Sequence, residues 1–154
     1  MLADFWQVDP ASPSGLSWRQ AKRWCVSAPG TPACACPDRK GYFTGNLGGV
    51  SYKAHRVVFL LTYGYWPEQV DHIDGVVTNN APTNLRAVSN AENQHNRLHF
   101  GCSFEKASRM WKATICHEGR QITLGRFSSK EEGRAAYLSA KELYHPTAPE
   151  RCYV

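Results

Sequence analysis

Apolar and polar positions alternate along this chain in short runs, so the pattern predicts small strands linked by turns. Gly41 to Lys53 reads as a hairpin, with Tyr42-Phe43-Thr44, a tip at Gly48-Gly49, and Val50-Ser51-Tyr52. Ala54 to Tyr63 is strongly apolar and is closed by Gly64, which suits a helix C-cap. Its Val57, Leu60 and Leu61 face is expected to pack against residues 70–96. Pro67 pushes Trp66 toward an extended conformation and turns the chain. Val70-Asp71-His72-Ile73 alternates and reads as a strand ending at the Asp74-Gly75 turn. Asn79-Asn80-Ala81-Pro82 breaks regular structure, and Leu85 to Val88 reads as a second short strand. Ser89 then opens a helix, with Glu92 at the capping-box spacing. The order over 70–96 is strand, loop, strand, helix.

Residues 101–145 repeat the small-strand pattern. Ser103-Phe104 starts a first strand, Trp111 to Ile115 alternates, Glu118-Gly119 is a hairpin turn, and Gln121 to Phe127 alternates again. Ser129 and Glu132 form a second capping box. Ala136, Ala140, Leu143 and Tyr144 follow at helical spacing, and His145-Pro146 ends the helix. The helix is expected to cover one face of the sheet, leaving Lys106, Arg109, Lys112, Arg120 and Arg126 on the other. Residues 1–40 are dense in proline and glycine, which argues against long helices. Leu16-Ser17-Trp18 and Arg23-Trp24-Cys25 read as short strands, with the tryptophans in a small core rather than on DNA.

Composition narrows the partners. The 154 residues suffice for one ordinary domain or two very small ones, and a net charge of +5 suits a polyanion. No apolar run is long enough to span a membrane. The opening MLADFWQVDP lacks a basic-then-apolar signal, so a cytoplasmic protein is expected. Six cysteines contain no C-x-x-C pair, so free thiols are the expectation and structural zinc through Cys25, Cys34 and Cys36 is not.

The candidate chemistry lies in 70–96. If the helix packs across the two strands, Asn93 can meet Asp71, and a hard cation such as Mg2+ suits two oxygen ligands. His72 beside Asp71 is a candidate general base. A base, a metal and a polar cradle suit phosphodiester hydrolysis. His95 points to the other side of the helix, whereas Asn96 and Arg97 share a face with Asn93. Arg97 is a candidate phosphate contact, as are His55 and Arg56; each is equally well a solvated surface group.

The Asp71-His72, Asn84-Leu85 and Glu92-Asn93 pairs resemble the HNH endonuclease motif, in the form carried by phage and intron-encoded homing endonucleases. The Y-x-A-H-R-x-V pattern of Tyr52 to Val58 extends the resemblance over roughly residues 41–98. It implies Asp71 and Asn93 as metal ligands, His72 as general base, and Asn84 as the group holding the His72 ring through its second nitrogen or a nearby carbonyl. Asn93 stands where many such nucleases have His. That favours Mg2+, or Mn2+, over softer ions and leaves more of the coordination to DNA phosphate.

The W-K-A-x-I, L-G-x-F and A-A-Y-x-x-A signatures of 101–145 resemble the APETALA2-type DNA-binding domain. That resemblance makes Arg109, Lys112, Arg120 and Arg126 candidate base or phosphate contacts. The expected fold class is α+β. It comprises a ββα-metal (HNH, His-Me finger) nuclease domain over 1–99, with its motif at 70–97, and a small three-stranded antiparallel sheet with one packed helix over 100–154. The expected function is metal-dependent cleavage of double-stranded DNA in a phage-infected bacterial host. The alternatives are a non-catalytic DNA-binding regulator on the same scaffold, and an RNA-directed role. Oligomeric state is open, with a monomer favoured.

Overall fold

The structure, a computed structural model, describes residues 2–20 and 28–153. It is a mixed α/β protein of small antiparallel sheets with four α-helices among the described residues. The chain divides into two compact units, Met1–Asn90 and Ala91–Val154.

The first unit opens with α1 (Leu2–Phe5), which runs directly into β1 (Trp6–Val8). β1 pairs antiparallel with β2 (Leu16–Trp18). The expected strand at Leu16-Ser17-Trp18 is therefore present, while Arg23-Trp24-Cys25 lies outside the described residues. Trp6 and Trp18 are buried, and their rings meet edge to face at 5.7 Å. That geometry suits aromatic quadrupoles and adds to their area burial. Next come β3 (Cys36–Pro37), β4 (Phe43–Leu47) and β5 (Val50–Lys53), a three-stranded sheet in the order β3-β4-β5. Gly48 and Gly49 turn the β4–β5 hairpin, both with positive φ.

α2 (Ala54–Tyr63) ends where expected. Gly64 takes the left-handed conformation at φ 81° and its N–H returns to the Leu60 carbonyl. Any side chain at that φ would be strained. The buried face of α2 is Ala54, His55, Val57, Val58 and Phe59. Leu60 and Leu61 are only half-buried, so the inward face sits slightly earlier in the chain than the apolar spacing suggested. This face joins Trp6, Leu16, Val70 and Leu85 in the core. β6 (Gln69–His72) and β7 (Leu85–Val88) form an antiparallel pair, followed by α3 (Asn90–His95). The strand, loop, strand, helix order therefore stands, and the division between the units falls within α3.

The second unit continues with β8 (Cys102–Glu105), β9 (Met110–His117), β10 (Arg120–Phe127) and α4 (Lys130–Tyr144). Its sheet has the order β10-β9-β8. The Glu118-Gly119 turn has positive φ at both residues, 49° and 73°, as a tight hairpin needs. Ser129 and Glu132 form the expected capping box at the start of α4. The inward stripe of α4 differs from the expected one. It is Gly133, Tyr137 and Lys141, whereas Leu143 is 73% exposed. Close approach decides this. A Cβ on Gly101 would fall 1.9 Å from Tyr137 Cγ, so the glycine lets the chain cross directly over that ring. Lys141 is 1% exposed and donates to the carbonyls of His95 and Arg97, which places its charge on backbone acceptors at the end of α3.

Candidate active site

β6 and β7 frame the site. Their register sets Asp71 opposite Arg86 and His72 opposite Leu85, so Asp71 and Arg86 leave the ribbon on one side. Arg86 donates to Asp71 Oδ2 through Nε and Nη2, at 3.1 and 3.0 Å. The Asp71 side chain is 10% exposed, so the guanidinium matches a charge that water barely reaches.

His72 is 4% exposed, and its Nε2 lies 3.0 Å from Asn80 Oδ1. Asn80 Nδ2 in turn donates to the Ser14 carbonyl at 2.8 Å. The amide nitrogen is thereby committed to a carbonyl, and the Asn80 atom facing His72 is an acceptor. Nε2 must donate to it, which places the lone pair of a neutral ring on Nδ1. The tautomer of His72 is thus set from the N-terminal segment, through a residue that the sequence pattern marks only as a loop.

His55, a candidate phosphate contact by sequence, is buried instead of facing DNA. Its ring meets the His72 ring edge to face at 5.1 Å, and Tyr42 tilts over both, at 5.2 Å from His55 and 6.0 Å from His72. Burial is the main force holding the His55 pKa down at about 3, helped by His72, Arg56 and Lys53. His55 is therefore a neutral wall of the site. Tyr42 is placed by the Asp38 loop: Asp38 accepts from the Lys40 and Tyr42 amides and pairs with Lys53.

Asn84 also differs from expectation. Its side chain accepts from the Asp74 amide at 3.0 Å and donates to Asp74 Oδ1 and the Asn79 carbonyl, each at 2.9 Å. Its carbonyl accepts from Ile73. Asn84 therefore braces the turn that follows His72, and the His72 ring is taken by Asn80. Burial opposes ionisation of Asp74, yet hydrogen bonds from Asn79, Val76 and Asn84 outweigh it and hold the carboxyl below its ordinary value.

Asn93 is half-buried on α3 in the second unit, and Asp71 lies in the first. Among the described residues no group of three or more His, Cys, Asp or Glu is placed to hold a metal ion. Cys34 is buried and Cys36 exposed, and Cys25, the third candidate of the zinc reading, lies outside the described residues.

The expected DNA contacts are only partly on one face. Arg56 donates to the Glu68 and Pro67 carbonyls and lies 4.9 Å over the Trp66 ring, so it ties down the turn rather than facing DNA. On β9 and β10, Lys112 sits opposite Arg126, away from buried Ala113 and Ile115. Arg120 sits opposite His117, on the Ile115 side, so the common basic face is narrower than expected. Arg126 is already held by Glu105, at 2.6 Å, and that pairing together with Ser108 pulls the Glu105 pKa to about 2. Lys106 and Arg109 lie in the exposed β8–β9 turn, Arg109 at φ 53°. Arg97 is exposed and lines a cavity of about 580 Å³ within the second unit, together with His95, His117 and His145. His95 stacks on His145 at 3.7 Å.

Residues 52–95 match the family model described as HNH endonuclease. No curated protein and no solved structure matches the chain. The HNH segment takes in α2, β6, β7 and α3, and so carries His55, Asp71, His72, Asn80, Asn84, Arg86 and Asn93. It points to a nuclease-type function on DNA, and HNH nucleases generally use a divalent metal. Among the described residues no helix is long and apolar enough to cross a membrane. Three residues of the site were not singled out by sequence reasoning: Asn80, Arg86 and Tyr42. Only Arg86 left a signal, since pairing His72 with Leu85 would have placed it opposite Asp71.

Proposed function

We propose that the protein is an HNH-type endonuclease that hydrolyses phosphodiester bonds of double-stranded DNA. The observation that carries this reading is the hydrogen-bonded chain Ser14–Asn80–His72 inside a segment matching the HNH family. It fixes the His72 ring so that Nε2 donates to Asn80 and Nδ1 is the nitrogen left to accept a proton, which is what a general base requires.

His72 Nδ1 takes the proton of the attacking water, and the ring gains a charge. The Asn80 carbonyl oxygen, already accepting from Nε2–H, stabilises that charge and keeps the ring from turning. Buried, neutral His55 and half-buried Tyr42 pack against the ring and limit the access of bulk water to it. Asn84 keeps the turn after His72 in place. By the resemblance, Asp71 and Asn93 would be the oxygen ligands of a hard divalent cation, Mg2+ or Mn2+, with DNA phosphate and water supplying the remaining ligands. When bound, such an ion supplies charge stabilisation to the phosphate and the leaving oxygen. The homing, phage-type character follows from the resemblance, as do 5'-phosphate and 3'-hydroxyl products.

The second unit serves as the DNA-affinity module of APETALA2 type. Its three antiparallel strands with one helix over the inner side support that assignment, as does the outward pair Lys112 and Arg126. Incubating the protein with supercoiled plasmid and a broad set of duplexes tests the reading. Nicking that needs Mg2+ or Mn2+ and stops with chelator is expected. Tight duplex binding without cleavage under every metal would replace it with the regulator reading.

A further inference from the structure

Three rings of the first unit meet around the proposed base. His55 and His72 have their ring centres 5.1 Å apart, and Tyr42 lies 5.2 Å from the one and 6.0 Å from the other. Tyr42 falls outside the residues that match the HNH family model. The loop before it fixes its backbone: the Tyr42 amide donates to Asp38 Oδ1 at 3.0 Å, and its carbonyl accepts from the Asp38 amide at 2.9 Å. Lys53 is a further neighbour of the ring, with its ammonium 5.5 Å from the ring centre and paired with Asp38. Only the hydroxyl is left over. The residue is half-buried, yet among the described residues that hydroxyl makes no hydrogen bond. A tyrosine removed from water ordinarily gives its O–H a partner.

We propose that Tyr42 is a further catalytic residue: its O–H donates a hydrogen bond to a non-bridging oxygen of the phosphate attacked by the water that His72 activates. The inference rests on the nuclease reading above. Reach supports it. A water activated by His72 lies about 2.6–3.2 Å from the ring nitrogen, and a phosphorus in attack geometry lies about 3–3.5 Å from the water. The phosphate therefore comes to about 6 Å from His72, the separation at which the Tyr42 ring stands. Charge supports it as well. The non-bridging oxygens carry charge in the transition state, and a donor already fixed in place stabilises it without reorganising. Tyr42 keeps its proton throughout: the proton of the attacking water goes to His72, and no bond to the tyrosine forms or breaks. A hydrogen bond that is stronger in the transition state than in the bound substrate raises the cleavage rate more than the duplex affinity.

The test is Tyr42→Phe in the full chain, which keeps the ring packed on His55 and His72 and removes only the hydroxyl. Cleavage is followed first on supercoiled plasmid, then on a short duplex carrying the mapped site, at saturating protein. The expected result is cleavage about 10- to 100-fold slower than the parent, with duplex affinity within about twofold and an unchanged urea midpoint. Cleavage at the parent's rate overturns the proposal. So does a fall in affinity as large as the fall in rate, and so does a lowered midpoint, which would give the hydroxyl a structural bond instead. Sulfur accepts hydrogen bonds weakly, so a second measurement places sulfur at each non-bridging position of the scissile phosphate in turn. At one of the two positions sulfur is expected to slow Tyr42→Phe less than it slows the parent; equal slowing of both proteins at both positions overturns contact with the phosphate. His72→Ala separates the two readings. Cleavage lost in His72→Ala but intact in Tyr42→Phe overturns only the role of Tyr42, whereas undiminished cleavage by His72→Ala, or none by the parent, overturns the nuclease reading and this one with it.

Discussion

Replacing Asn80 by Ala removes the hydrogen-bonded link between His72 and the N-terminal segment. Two buried hydrogen bonds vanish, His72 Nε2 to Asn80 Oδ1 at 3.0 Å and Asn80 Nδ2 to the Ser14 carbonyl at 2.8 Å. Asn80 is 4% exposed and Ser14 0%, so water does not readily replace either partner. An orphaned buried group costs about 1–3 kcal/mol, and two of them together about 2–4 kcal/mol after relaxation. The catalytic effect has a separate origin. Without Asn80 no acceptor at Nε2 sets the tautomer of the His72 ring, so only a fraction of molecules presents Nδ1 correctly. General-base catalysis contributes about 10²–10⁴-fold, which is the ceiling for what His72 can lose. The expected loss for Asn80→Ala is therefore about 10- to 100-fold in single-turnover cleavage, smaller than that of His72→Ala. Urea unfolding monitors the first effect, and cleavage of a short duplex at saturating protein monitors the second. An Asn80→Ala protein with the unfolding midpoint and cleavage rate of the parent would refute the assignment of Asn80 as the residue that sets the tautomer.

Three further outcomes rest on the geometry. Gly101→Ala places a methyl 1.9 Å from Tyr137 Cγ at a φ of 78°, and is expected to cost about 3 kcal/mol or more, read as loss of soluble protein or a lower melting temperature. Between about pH 6.5 and 3 the unfolded chain binds a proton at His55 that the folded protein does not, so stability contributed by neutral His55 is lost as pH falls. At pH 5 this amounts to about 2 kcal/mol, and urea unfolding of His55→Phe should show that much less acid sensitivity than the parent; parallel curves would exclude His55. Glu105→Gln releases Arg126 from its ion pair, and is expected to tighten duplex binding and steepen its salt dependence by about one phosphate contact in a filter-binding titration. An unchanged slope would remove Arg126 from the DNA-facing set.

Local chemistry made much of the fold legible. Gly64 after an apolar run, Glu118-Gly119 between alternating strands, and Ser129 three residues before Glu132 each satisfy a backbone requirement within a few residues. The partners of the site residues are not local. Asn80 reaches Ser14 across 66 positions, and Arg126 reaches Glu105 across 21. An Asn between a turn and a proline looks like loop chemistry whether or not its amide faces a histidine. Helical spacing on α4 pointed to Ala136, Ala140, Leu143 and Tyr144, whereas the buried stripe is Gly133, Tyr137 and Lys141. The burial of Tyr137 and Lys141 over Leu143 was decided by the glycine crossing at 101 and by the carbonyls of His95 and Arg97, neither of which a periodicity reveals. Asp71 and His72 were legible as a pair. That one is matched by Arg86 and the other by Asn80 follows from the β6–β7 register and from the 79–84 loop.

The most direct test of the central claim is cleavage and duplex binding measured side by side for the parent and His72→Ala, with Mg2+ or Mn2+ present for cleavage. The nuclease account predicts metal-dependent cleavage by the parent, loss of cleavage in the variant by about 10²-fold or more, and nearly equal duplex affinity for the two. Undiminished cleavage by His72→Ala would contradict it, as would cleavage and binding that fall together.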